Sequence, residues 1–132
     1  MSEAELNKIS EMIIGCAYNV GNALGNGFLE KVYENALSYE ISKKQLSVKQ
    51  QYPIEVFYEG IIVGQFVADL LVENKILVEL KTAKGIDEIH LAQCLNYLKA
   101  TNLPLCLLIN FGKPRVEIRR VFQSVNLKNI FN

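Results

Sequence analysis

Val67–Lys81 reads VADLLVENKILVELK, two apolar runs divided by Glu73-Asn74-Lys75, with Asp69 inside the first run and Glu79-Leu80-Lys81 closing the second. Side chains of an extended strand alternate between faces, so Glu79 and Lys81 point one way while Ile76, Val78 and Leu80 point the other. A carboxylate and an ammonium therefore stand side by side where a core is expected. Burying such charges is costly unless they are paired or hold a metal, which marks this stretch as the place to look for chemistry.

Outward from that stretch, Val48 to Tyr58 and Ile61 to Val72 read as two strands joined by a tight Glu59-Gly60 turn, and Ile76 to Lys81 as a third. Pro53 argues for an edge position or a bulge in the first strand. The second, IIVGQFVADLLV, is nearly continuous in apolar residues, the pattern of a strand covered on both faces. These strands form an antiparallel meander with Asp69 and Glu79 on neighbouring members. Ahead of them, apolar spacing of three and four predicts one helix from Glu3 to about Leu24, capped by Ser2, and another from Phe28 to about Lys44. The apolar stripe of the second helix is Leu29, Val32, Tyr33, Ala36, Leu37 and Ile41, and its first turn carries Glu30. An acid at that place ordinarily faces solvent and favours the helix dipole.

Beyond Lys81 a helix is expected from about Ile86 to Thr101, burying Ile89, Ala92, Leu95 and Leu98, with His90, Gln93 and Tyr97 on another face. Leu105 to Phe111 and Val116 to Phe122 read as two last strands, followed by a tail in which Val125, Leu127, Ile130 and Phe131 are able to pack. A helix between the third and fourth strands favours a parallel crossover. The expected fold is α/β: a mixed central sheet, a three-strand antiparallel meander followed by a crossover helix and further strands, flanked by helices in a single domain over residues 1–132.

Composition narrows the setting. Fourteen basic and fourteen acidic residues cancel, so no global positive field announces a nucleic-acid partner, though a neutral total is compatible with a local basic groove. Cys16, Cys94 and Cys106 are far apart, odd in number and flanked by apolar residues, which reads as reduced core thiols of a cytoplasmic protein. Neither a signal-peptide pattern nor an apolar run of the roughly 18 residues a membrane span needs is present, so no membrane partner is expected.

Two carboxylates converging from adjacent strands form a hard oxygen site suited to Mg²⁺ or Mn²⁺, and the Leu80 carbonyl is placed to add a ligand. Lys81 would then position water or balance charge growing on a phosphate. The competing reading is a structural ion pair, or an E-x-K stripe on a solvated strand face.

Asp69 followed by Glu79-x-Lys81, in this order of elements, resembles the PD-(D/E)XK nuclease superfamily, and GFLEKVY at Gly27 to Tyr33 is similar to the signature of its GxxExxY branch. The resemblance covers nearly the whole chain and implies a restriction-endonuclease-like core. It implies metal ligation by Asp69, Glu79 and, through water, Glu30; a motif-lysine role for Lys81; and an orienting or substrate-touching role for Gln93, supported by Tyr97. Tyr33 reads as core, with a spacing that would let it brace Glu30. Ala68 stands where the superfamily name has Pro. His90 has no ligand partner at metal spacing, and Lys113, Arg115, Arg119 and Arg120 are the best basic cluster for phosphate.

The leading expectation is a metal-dependent nuclease-like domain acting on nucleic acid, DNA first. The alternative is a non-catalytic nucleic-acid- or protein-binding module that retains the fold. Zero net charge and the lack of an appended DNA-reading domain favour a partner, a second copy of the chain or a larger complex.

Overall fold

The protein is described by a computed structural model over residues 1–123, so the apolar tail positions Val125, Leu127, Ile130 and Phe131 lie outside the described residues. Helix α1 (Glu3–Leu24) begins where Ser2 Oγ accepts the Glu5 N–H at 3.1 Å, satisfying one of the orphan donors of the first turn. Helix α2 (Glu30–Lys43) follows. Its buried face is Tyr33, Glu34, Leu37 and Ile41.

Five strands make one sheet in the spatial order β1 (Val48–Tyr58), β2 (Ile61–Val72), β3 (Ile76–Lys81), β4 (Leu105–Asn110) and β5 (Glu117–Phe122). Neighbours are antiparallel except β3 and β4, which run parallel with Ile76 opposite Leu105 and Lys81 opposite Asn110. Parallel neighbours need a crossover, and α3 (Glu88–Thr101) supplies it. One core layer packs α1 and α2 on Leu70, Val72, Ile76, Val78, Leu80, Leu107 and Ile109. The other packs α3 on Leu71, Leu77, Cys106 and Leu108. The mixed sheet, the meander, the crossover and the edge position of β1 are as expected from the sequence.

Three details differ. Helix α2 starts at Glu30, two residues later than the periodicity predicts, because Leu29 is extended as the N-cap and 81% exposed. Val32 is exposed as well, so the buried stripe is rotated and Glu34 occupies a core-facing place assigned to an apolar residue. Strand β2 is not covered along its length: Ile61, Ile62, Val63, Phe66 and Val67 are exposed. The reason is the shortness of β3, which pairs only with Leu70, Leu71 and Val72, leaving the far part of β1 and β2 as a two-stranded ribbon.

The third concerns α3, which starts at Glu88 with Asp87 as N-cap and buries Cys94, Tyr97 and Leu98, whereas Ile89, Ala92 and Leu95 are exposed. Both stripes satisfy helical spacing. Cys94 facing Cys106 allows a close approach to β4, and that choice brings Tyr97 onto the sheet.

Candidate active site

The β2–β3 ladder ends at Leu70 opposite Val78, and the pair that would follow is Asp69 and Glu79. Here side chains replace the backbone bonds: Glu79 Oε1 accepts the Asp69 N–H at 3.0 Å, and Asp69 Oδ2 accepts the Leu80 N–H at 2.8 Å. The strands part, and the two carboxylates fill the opening. In a strand a residue's N–H and C=O project toward the same edge, so the Leu80 carbonyl is directed to the Asp69 side of β3. The second oxygen of each carboxylate accepts no hydrogen bond from the described residues and is not sealed from solvent.

Electrostatic strain follows. Glu79 is 4% exposed, and burial together with the neighbouring Asp69 charge pushes its carboxyl up to about 8. Asp69 is also raised, first by burial and then by Glu34 and Glu30 on α2, although the Leu80 hydrogen bond and Lys81 oppose the rise. Glu79 and Lys81 share the α3 face of β3, while Val78 and Leu80 enter the opposite core, as strand alternation requires.

The entry to α2 is built by Gly27 and Tyr33. Gly27 has φ +122°, a conformation side chains rarely adopt. The buried Tyr33 hydroxyl donates to the Gly25 carbonyl at 2.6 Å and accepts the Phe28 N–H at 3.2 Å, and its ring stacks on Phe111 at 4.6 Å. Its polar contacts thus close the loop before Glu30 rather than touch Glu30 itself. Glu30 remains exposed at the first helical position. One turn on, Glu34 is buried and accepts from Gln50 Nε2 at 2.7 Å, Gln51 Nε2 at 2.8 Å and Lys31 Nζ at 3.0 Å. Gln51 stands in β1 opposite Asp69, with φ +55° and outside the ladder, which turns its side chain onto Glu34.

On the other side, α3 contributes Gln93 and Tyr97, joined by a Gln93 Nε2 to Tyr97 Oη bond of 3.2 Å. Burial raises the Tyr97 hydroxyl, and the Glu79 and Asp69 charges raise it further. The segment after Lys81 is held by buried Asn110, whose amide accepts the Ala83 and Gly112 N–H groups at 2.9 Å each and donates to the Ala83 carbonyl at 3.0 Å.

A profile of the PD-(D/E)XK nuclease superfamily matches residues 7–121. The chain belongs to this superfamily. Among solved structures it is similar to SSO0001, with TM-score 0.58 and 20% identity over 71% of this chain and 50% of that one. It is also similar to an alkaline exonuclease from Laribacter hongkongensis, with TM-score 0.55 and 14% identity over 98% of this chain and 74% of that one. The chain spans half the length of SSO0001. No curated protein gave a match. The sheet and its flanking helices form a restriction-endonuclease-like core, as the sequence implies.

PD-(D/E)XK nucleases generally use divalent metals, and the donors here fit a hard cation. Mg²⁺ is held by one or two carboxylates with water and substrate phosphate completing the shell, and Asp69 and Glu79 supply two carboxylates with a free oxygen each. A cation would also relieve the strain that burial and proximity impose on both. Among the described residues no three Asp, Glu, His or Cys side chains converge closely enough to hold an ion alone.

Residues elsewhere have local duties. His90 Nδ1 accepts the Asp87 N–H at 3.2 Å and caps α3. In the expected basic cluster, Lys113 and Arg119 lie 3.9 and 3.8 Å from Glu117, so part of its charge is engaged within β5 and its preceding turn. Sequence reasoning places Glu34 close to the apolar stripe without a site role, and passes over Gln51 and Asn110. The partners that decide their places, Gln50 and Gln51 for Glu34 and Ala83 for Asn110, are distant in the chain.

Proposed function

We propose that this chain is a metal-dependent nuclease-like domain, a single unit over residues 1–132, that hydrolyses nucleic-acid phosphodiesters, with DNA as the first substrate to test. The observation that carries this reading is the end of the β2–β3 ladder, where Asp69 and Glu79 meet, each tied by one oxygen to a neighbouring backbone N–H and free at the other. Mg²⁺ or Mn²⁺ would be held by Asp69, Glu79, the Leu80 carbonyl and, through water, Glu30. When bound, it polarises the phosphodiester and makes water a stronger nucleophile. Lys81, on the Glu79 face, orients the attacking water and offsets charge on the phosphate as the water oxygen bonds to phosphorus and the sugar oxygen departs. Gln93, steadied by Tyr97, orients the substrate from α3. A cytoplasmic setting goes with this reading, supported by three buried free cysteines. A second copy of the chain or a larger complex is the partner proposed to supplement its balanced charge.

A second reading, a binding module that retains the fold without cleaving, is favoured by the exposure of Glu30 and by the absence of a third close ligand among the described residues. Incubation of plasmid and single-stranded DNA with Mg²⁺ or Mn²⁺ separates the two. Cleavage is expected to fall at least ~100-fold in Asp69→Asn, Glu79→Gln and Lys81→Ala. Cleavage that persists in those variants would assign the activity to a contaminant, and wild-type protein that binds DNA without cutting it would establish the module.

A further inference from the structure

Between α3 and the β1–β2 ribbon lies a groove of about 710 Å³, lined by Phe57, Phe66, Ile89, Gln93, Tyr97 and Lys99 among others. That volume falls within the range of about 300–1,000 Å³ typical of ligand pockets. Its walls are aromatic and open: Phe57 is 59% exposed, Phe66 is 47% exposed, and the Phe66 ring lies 5.7 Å from Tyr97. We propose that this groove is a base-stacking subsite for unpaired nucleotides of the substrate strand whose phosphate reaches Asp69 and Glu79. The inference rests on the nuclease reading and adds the substrate class: single-stranded or frayed nucleic acid rather than intact duplex.

Three observations select this occupant. The groove adjoins the candidate site, because Gln93 and Tyr97, hydrogen-bonded to each other, line it and Tyr97 packs in the same cluster as Ala68, the residue before Asp69, so a strand positioned for cleavage runs into it. Among the described residues no acidic side chain lines it, whereas Lys99, Gln93 and Asn96 supply donors suited to a polyanion and to base edges. A duplex presents phosphates and hides its base faces, and its affinity depends on many cationic contacts, whereas Lys99 is the one cation among the described residues that line the groove. Unpaired bases expose the π faces that Phe57 and Phe66 can meet, and aromatic stacking tolerates any sequence.

The test is fluorescence binding of a short single-stranded deoxyoligonucleotide carrying 2-aminopurine, against the same sequence as blunt duplex, with Ca²⁺ present. Tighter binding of the single strand is expected, with quenching of the 2-aminopurine. Phe57→Ala should weaken it about 5- to 150-fold and abolish the quenching, and Phe57→Trp should restore both. Phe57 is largely exposed, so loss of the ring leaves the core intact, which circular dichroism checks. Equal affinity for duplex, or unchanged binding by Phe57→Ala, overturns the subsite. A dimer that Phe57→Ala dissolves, without preference for single strands, overturns it in favour of a second copy in the groove. Calorimetric Mn²⁺ titration of wild type against Asp69→Asn reads the nuclease proposal separately: metal heat without stacking sinks only the groove, and stacking without metal heat sinks only the nuclease.

Discussion

Glu79 holds its proton to about pH 8 because it is buried beside Asp69, while the same group in the unfolded chain titrates near 4.5. Between those values the folded chain binds a proton that the unfolded chain has released, so stability falls as pH rises through the folded pKa. Urea denaturation of metal-free protein should show this decline between about pH 5 and pH 8, on the order of a few kcal/mol at most, and Glu79→Gln should flatten it. Mn²⁺ must displace that proton, so it should stabilise wild type more at pH 8 than at pH 6. A pH-independent metal-free stability would refute the assignment.

Glu34 and Glu30, one helical turn apart, should behave differently. All three partners of Glu34 donate, so Glu34→Gln sets an amide N–H₂ against a donor and should cost roughly 1–3 kcal/mol by denaturation. Exposed Glu30→Gln should change stability by less than about 0.5 kcal/mol while weakening Mn²⁺ binding. Asp69 and Glu79 were legible in the sequence because charge inside an apolar run is costly. Glu34 was not, because an acid in a polar helical segment looks solvated until Gln50 and Gln51 arrive from β1.

At the scale of elements, the site depends on what holds the end of β3. Asn110 ties Ala83 and Gly112 together just past Lys81, and its amide takes the place that a continuing strand would fill. Asn110→Ala would leave two half-buried backbone N–H groups without their protein partner and should cost about 1–3 kcal/mol of stability. Urea midpoints measure that cost. The Lys81 turn should also loosen, so hydrogen exchange at Ala83 should quicken more than exchange at Leu107 within β4; equal acceleration at both would place the damage in the core instead. The sequence marked every helix and strand within a few residues, since caps, turns and apolar periods are local. It could not say how far β3 would cover β2, nor which of two apolar stripes α3 would bury, because both are settled by neighbours distant in the chain.

For the whole molecule, the balance of charge decides how substrate is held. Lys81 acts on both carboxylates and Lys99 lines the groove, while over the whole chain 14 basic residues are balanced by 14 acidic ones. Each phosphate neutralised releases counterions, and for single strands log K falls against log salt with a slope of about −0.7 per contact. Two contacts give roughly −1.4, much shallower than expected for 6–10 phosphate contacts. Stacking on Phe57 and Phe66 carries no such penalty, so single-strand binding should survive moderate salt while duplex binding does not. Anisotropy titrations across a salt series measure both slopes. A single-strand slope of about −6 or steeper would mean that basic residues outside this face dominate, and the aromatic groove would lose its role.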